Sequence, residues 1–136
     1  MNFLLDTNIC IALIKNRPTF VRSKFEQRLA AGLQIVTSTV TVFELMYGAA
    51  KSSLRERNES AINALLSSLS TAVLLDTEDA KAAAQIRAKL EKAGTPIGLY
   101  DLLIAGQAIS RDLILVCANE REFSRIPGLR WENWAV

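Results

Sequence analysis

The sequence predicts an α/β fold, a mostly parallel central sheet of four to five strands between two layers of helices. Three observations predict it. Short apolar runs rich in β-branched and aliphatic residues alternate with longer stretches whose apolar residues recur at helical spacing. The helical stretches open on Thr or Asp and close at Gly, as helix ends require. Half of the 136 residues are hydrophobic, enough to cover a sheet on both faces.

Phe3-Leu4-Leu5 reads as a buried strand that ends abruptly at Asp6-Thr7-Asn8, where a helix starts. Ile9 to Lys15 continues that helix, and Asn16-Arg17-Pro18 stops it. Over 19–31, Phe20, Val21, Phe25 and Leu29 fall at helical spacing, and Gly32 closes the helix. Leu33 to Ser38 predicts a second strand. From Thr39 the pattern is helical again, through Val40, Phe43, Leu45 and Met46 to Gly48. Residues 54–69 make an amphipathic helix with Leu54, Ile62, Leu65, Leu66 and Leu69 on one side. Ala72 to Leu75 is a third strand. Thr77-Glu78-Asp79 opens an Ala-rich helix that runs to about Ala93, with Gly94 beyond it. After the loop ending Thr95-Pro96-Ile97-Gly98, residues 99–111 form a further helix. Leu113 to Cys117 is a fourth strand, and the segment Gly128 to Trp134 adds a short edge strand. No linker, repeat or low-complexity segment interrupts the chain, which reads as a single domain over 1–136.

The chain has no histidine. That excludes Ser-His-Asp and Cys-His machinery and any zinc site built on imidazole. Acid–base or metal chemistry must then rest on carboxylates, amides, hydroxyls, Lys or Tyr. Cys10 and Cys117 are far apart in apolar surroundings and read as buried thiols of a reducing compartment. A net charge of +2 neither demands nor forbids a nucleic-acid partner. No apolar run approaches the ~20 residues that cross a bilayer, and the first residues lack a signal-peptide pattern. A cytoplasmic location is expected, with no membrane partner.

In parallel sheets ligands bind outside the carboxyl ends of the strands, so the acids there carry the functional question. Asp6 follows the first strand; it reads either as a helix N-cap or as a ligand. Glu44 sits inside the apolar run Val40 to Met46, on an exposed stripe of its helix or buried against a partner. Asp101 begins an apolar helix, where an acid also complements the helix dipole. Asn119, Glu120 and Glu122 follow the fourth strand as a polar turn, though an Asn carbonyl can still ligate a metal. The three acids Asp6, Glu44 and Asp101 share a place in this topology, at strand ends or in the helices that follow. No Lys or Arg lies close in sequence to Asp6 or Asp101. An oxygen-only set of this kind suits Mg2+ or Mn2+.

The stretches FLLDTNICIALIKN at 3–16, TSTVTVFELMYGAAKS at 37–52 and PIGLYDLLIAGQAISRDLILVCANEREFSRIPGLRWENW at 96–134 carry a resemblance. The chain resembles the PIN-domain ribonucleases and, within them, the VapC toxins of type II toxin–antitoxin pairs. The resemblance spans essentially the whole chain, and it rests on the order DTN, FELMYG, IGLYDLLIAGQA, NEREF rather than on any one motif.

The resemblance implies a three-layer PIN fold and a Mg2+- or Mn2+-dependent endoribonuclease held inactive by a cognate VapB-type antitoxin. Asp6, Glu44 and Asp101 match the family's acids. Asp6 and Asp101 would then hold the metal, and Glu44 would orient the attacking water. Where many relatives carry Asp, this chain has Asn119; where they carry Thr, it has Cys117. The fourth corner is therefore Asn119 or Glu122, and one metal or two stays open. Thr7 and Ser38 are candidate supporting hydrogen-bond partners. Similar toxins cut initiator tRNA in the anticodon loop, so a tRNA substrate is expected, along with a homodimer or a larger toxin–antitoxin assembly. Lys15, Arg17, Lys51, Arg55 and Arg87 can track an RNA backbone or serve as solvated surface charges. The helix at 54–69 can meet an antitoxin or pack on the chain's own core. Two other readings remain open, a catalytically weak RNA-binding module and a DNA-directed nuclease of the same fold. Neither GxGxxG nor GxxxxGK[ST] occurs, which removes support for a nucleotide-binding protein.

Overall fold

A computed structural model describes residues 2–118 and 120–136. Five strands, β1 (Phe3–Leu5), β2 (Ile35–Ser38), β3 (Thr71–Val73), β4 (Ile114–Cys117) and β5 (Trp131–Asn133), form one sheet in the order β3-β2-β1-β4-β5. Every pairing in it is parallel. The order reverses at β1: the chain steps outward to β2 and β3, then returns to place β4 and β5 on the other side. The crevice of such a sheet opens where the order reverses, here between the carboxyl ends of β1 and β4.

Side-chain alternation divides the core into two layers. Phe3, Leu5, Ile35, Ile114 and Val116 face helices α1 (Thr7–Lys15), α2 (Thr19–Ala30) and α4 (Arg55–Ser68), through Ile9, Leu13, Val21, Phe25, Ile62 and Leu65. Leu4, Val36, Leu115 and Cys117 face α5 (Thr77–Lys92), α6 (Leu99–Ser110) and α7 (Glu120–Phe123), through Ile86, Leu90, Leu102, Ile104 and Phe123. Helix α3 (Thr39–Ala50) follows β2 and contributes Leu45 and Ala49 to the first layer and Val40 to the second. Trp134, buried beyond β5, packs edge-on against Phe3 at 5.5 Å between ring centroids and anchors the final strand. Among the described residues no helix is long and apolar enough to cross a membrane.

The expected elements all form, with shifted ends. Leu33 and Leu113 lie outside their strands because their N–H groups close helices α2 and α6, on the carbonyls of Arg28 and Ala108. The third strand stops at Val73: Leu74 turns its side chain to solvent, and its carbonyl accepts from Arg111. Helix α3 continues past Gly48 to Ala50, since nothing there demands a left-handed residue. Leu54 is exposed at the start of α4, so the buried stripe of that helix begins only at Ile62.

Helices α5 and α6 approach each other unusually closely. A Cβ on Gly106 would stand 2.7 Å from the Ala83 Cβ and 2.8 Å from the Asp79 carbonyl oxygen, so only glycine fits. Asp79 clamps the same contact. It closes a capping box with Asp76 at the start of α5 and takes the Arg111 guanidinium at 3.0 Å from the end of α6. Burial opposes its ionisation, but the Asp76 N–H, Arg111 and the Ser110 hydroxyl outweigh that and hold its carboxyl below the usual range.

Gly106→Ala is therefore expected to destabilise the protein by about 1–3 kcal/mol, although alanine is the better helix former. Thermal denaturation checks this. An unchanged or raised Tm would show that the two helices are free to move apart.

Candidate active site

Asp6 stands at the carboxyl end of the central strand, where the sheet order reverses. Its extended backbone and acceptor side chain make it the N-cap of α1, with Oδ1 taking the Ile9 N–H at 2.8 Å. The cap does not take Asp6 out of the acid group: one oxygen caps the helix, and its charge still acts on Asp101 and meets that of Glu44. The residue is only 3% exposed.

Glu44 arrives from β2. Ser38 ends that strand and caps α3, accepting the Val40 N–H at 3.0 Å, and Glu44 follows along the helix. It is half-buried, and the Thr7 hydroxyl donates to its Oε1 at 2.6 Å. Thr7 also lies 3.2 Å from the Thr41 hydroxyl, which ties the first turn of α1 to α3. Beneath them the Thr37 hydroxyl donates to the Leu5 carbonyl at 2.9 Å and sits 3.7 Å from the Cys10 sulfur. Burial pushes the Cys10 thiol up to about 12, so it packs as an inert neutral group, as its sequence context implies.

Asp101 reaches the same place by another route. It does not follow a strand, contrary to the placement expected from sequence. It occupies the first turn of α6, whose far end turns through Arg111 to Leu113 into β4. That connection runs α6 back along the sheet and returns its first turn to the carboxyl ends. Glu122, on α7 after β4, closes the group by hydrogen-bonding to Asp101. Asn119 lies outside the described residues. Ser38 is fully buried as a helix cap and Thr7 contacts Glu44 directly, so of these two only Thr7 touches a candidate acid.

The electrostatics follow from crowding like charges at the edge of the core. Asp6 is pushed up to about 7 by burial, with Glu44 adding to the shift against the Ile9 and Asn8 N–H groups. Asp101 is also pushed up to about 7, first by burial, then by the hydrogen bond and charge of Glu122, then by Asp6 and Glu44. The neighbouring charges that raise these two groups are thus all carboxylates. Such a set takes up protons or a hard cation. Its oxygen-only chemistry fits Mg2+ or Mn2+, which bind through one or two carboxylates and keep several waters. Among the described residues no three acids lie close enough together to hold a metal ion by themselves, so a cation here would rest on fewer side chains and on water.

The folded-state pKa of Asp6 lies above its unfolded value of 3.8, so its contribution to stability is complete below about pH 4 and lost as the pH rises through 7. Asn caps a helix equally well and cannot ionise. In EDTA, Asp6→Asn should become more stable relative to the parent across that window, by on the order of 2–4 kcal/mol at pH 8. Denaturant melts at several pH values measure it. A constant difference from acid to neutral pH would contradict the burial of an unneutralised charge.

Comparison with known proteins bears on this geometry. The PIN-domain family profile matches residues 3–129. The chain is 45% identical, over 98% of each sequence, to a tRNA(fMet)-specific endonuclease VapC of Salmonella typhimurium. It is 47% identical to the protein of the same description from Shigella flexneri, over 99% of each. Among solved structures, DNA-bound VapBC from Salmonella typhimurium superposes with a TM-score of 0.90 at 45% identity, covering 98% of both chains.

Proposed function

The chain belongs to the PIN-domain family, in its VapC branch, and from that premise we propose that it is a divalent-metal-dependent endoribonuclease toxin acting on tRNA. One observation carries the reading. Acids from three separate elements, Asp6, Glu44 and Asp101, act on one another where the sheet order reverses, and the charges that shift Asp6 and Asp101 there are those of other carboxylates.

In this reading Asp6 and Asp101 hold the cation, with Glu122 beside Asp101 as the supporting fourth acid. When bound, Mg2+ or Mn2+ makes water acidic enough to attack at neutral pH and offsets charge on the phosphoryl oxygens. Glu44, fixed by the Thr7 hydroxyl, orients the attacking water in line with the phosphodiester and takes its proton. Capping of α1 by Asp6 holds that carboxylate rigid, so little reorganisation accompanies the reaction. The RNA cut is a tRNA, the initiator tRNA by similarity to the Salmonella and Shigella relatives, and its loss stops translation in the cytoplasm. The chain acts as one PIN domain over its full length.

A cognate antitoxin of the VapB kind is the proposed inhibitor, by similarity to the VapBC complexes. A groove of about 300 Å³ lined by Ile11, Ile14, Leu45, Ala49 and Ile62 opens beside Glu44 and suits an apolar antitoxin segment. In this reading the antitoxin meets α1, α3 and the middle of α4.

Incubating the purified chain with tRNA in Mg2+ or Mn2+ tests the reading, with DNA of the same sequence alongside. Cleavage confined to RNA is expected, abolished by EDTA. Asp6→Asn and Asp101→Asn should each lose at least about a hundredfold in rate. Thr7→Val should lose roughly tenfold through a misaligned Glu44. Cutting that persists in EDTA, or in both Asn variants, would overturn the metal–carboxylate mechanism.

A further inference from the structure

Beside the acids, α3 and α6 leave three aromatic rings in water. Phe43 and Tyr47 lie four residues apart on α3 and so share one face, while Tyr100 adjoins Asp101 on the first turn of α6. They are 55%, 59% and 42% exposed. The Phe43 and Tyr100 rings approach to 5.7 Å between centroids at an interplanar angle of 58°. With Glu44 these rings line one cleft of about 380 Å³. One turn beyond Tyr47, Lys51 sets its ammonium 4.8 Å from the centre of the tyrosine ring.

Single exposed apolar residues need no explanation, but three adjoining rings against a candidate catalytic acid do. Packing does not require them, because the buried stripe of α3 is Thr41, Leu45 and Ala49. The rings ask for a planar apolar group, and Lys51 beside Tyr47 asks for an anion joined to it. An unpaired nucleobase with its phosphate meets both demands. Every base has a face to stack, and the lysine stands where a flanking phosphate follows.

We propose that Phe43, Tyr47 and Tyr100 form a stacking platform that receives unpaired RNA bases next to the scissile phosphate, with Lys51 neutralising a neighbouring phosphate. The proposal rests on the ribonuclease reading above and adds a selection rule to it. The tilt between Phe43 and Tyr100 makes a corner rather than a slot, so bases stack on the open face of one ring at a time. Bases held in a duplex cannot reach it, and the platform selects loops over paired stems.

The test measures affinity for a short fluorescent single-stranded RNA, with Ca2+ replacing Mg2+ to suppress turnover, and solution mass by light scattering. Phe43→Leu, Tyr47→Leu and Tyr100→Leu keep apolar bulk but lose the ring; Tyr47→Phe and Tyr100→Phe keep it. Each Leu variant should bind roughly tenfold more weakly, and the Phe variants should match the parent. An abasic site at the position that stacks should weaken the parent but not weaken the Leu variants further. Duplex RNA of the same sequence should bind less well, and Lys51→Ala should reduce the salt dependence by about one phosphate contact. Parent-like binding by all three Leu variants would overturn the platform. So would equal affinity for the duplex, or losses that track a change in mass, which would instead make this face a contact between copies of the chain. A parent that neither binds nor cuts any RNA would overturn the ribonuclease reading itself.

Discussion

A carboxylate buried at the carboxyl end of the central strand, its ionisation opposed by burial and by a neighbouring carboxylate, is the constraint around which this protein is arranged. Asp6 cannot move away, because one of its oxygens caps α1 and its backbone continues β1. It cannot be neutralised locally, since the charge that reaches it is that of Glu44. Burial and like charge together raise the cost of ionising it at neutral pH. A cation from solution would relieve that cost, and a chain without histidine would offer it oxygen ligands.

The surrounding structure keeps that arrangement in place. Thr7 connects Asp6's helix to Glu44, and Thr37 ties β2 to the Leu5 carbonyl immediately before Asp6. Further away, the Gly106 contact and the Asp79–Arg111 clamp fix α6 against α5. That clamp sets the line along which α6 runs and hence where its first turn presents Asp101. Mutations there touch no acid of the site, yet a tilt of α6 would displace one. Stability and activity are thus coupled through one helix.

The same geometry divides the rim of the site into surfaces of different character. On one side Ile11, Ile14, Leu45 and Ile62 line an apolar groove, and on the other Phe43, Tyr47 and Tyr100 expose their rings. Glu44 borders both. A protein segment filling the groove and an RNA base on the rings would therefore compete at one carboxylate. Neighbouring positions on α3 can serve opposite purposes because helical spacing turns Leu45 inward while Phe43 and Tyr47 face solvent.

The sequence by itself determined the alternation of strands and helices and the parallel sheet, and it singled out the acids proposed for the site. These follow from local signals: apolar runs, caps, glycine stops and the absence of histidine. Asp6 was legible because a cap and a strand end coincide at one residue. Tertiary structure alone decided where Asp101 lies relative to the other acids. Its helix precedes β4 rather than following a strand, and only the direction of α6 across the sheet brings its first turn to Asp6 and Glu44. The resemblance left the fourth corner to Asn119 or Glu122, and only the structure sets Glu122 against Asp101, because two acids 21 positions apart carry no shared local pattern. The shortened third strand and the exposed Leu54 belong to the same class. An apolar residue looks buried in sequence, but whether it is depends on whether another element arrives to cover it.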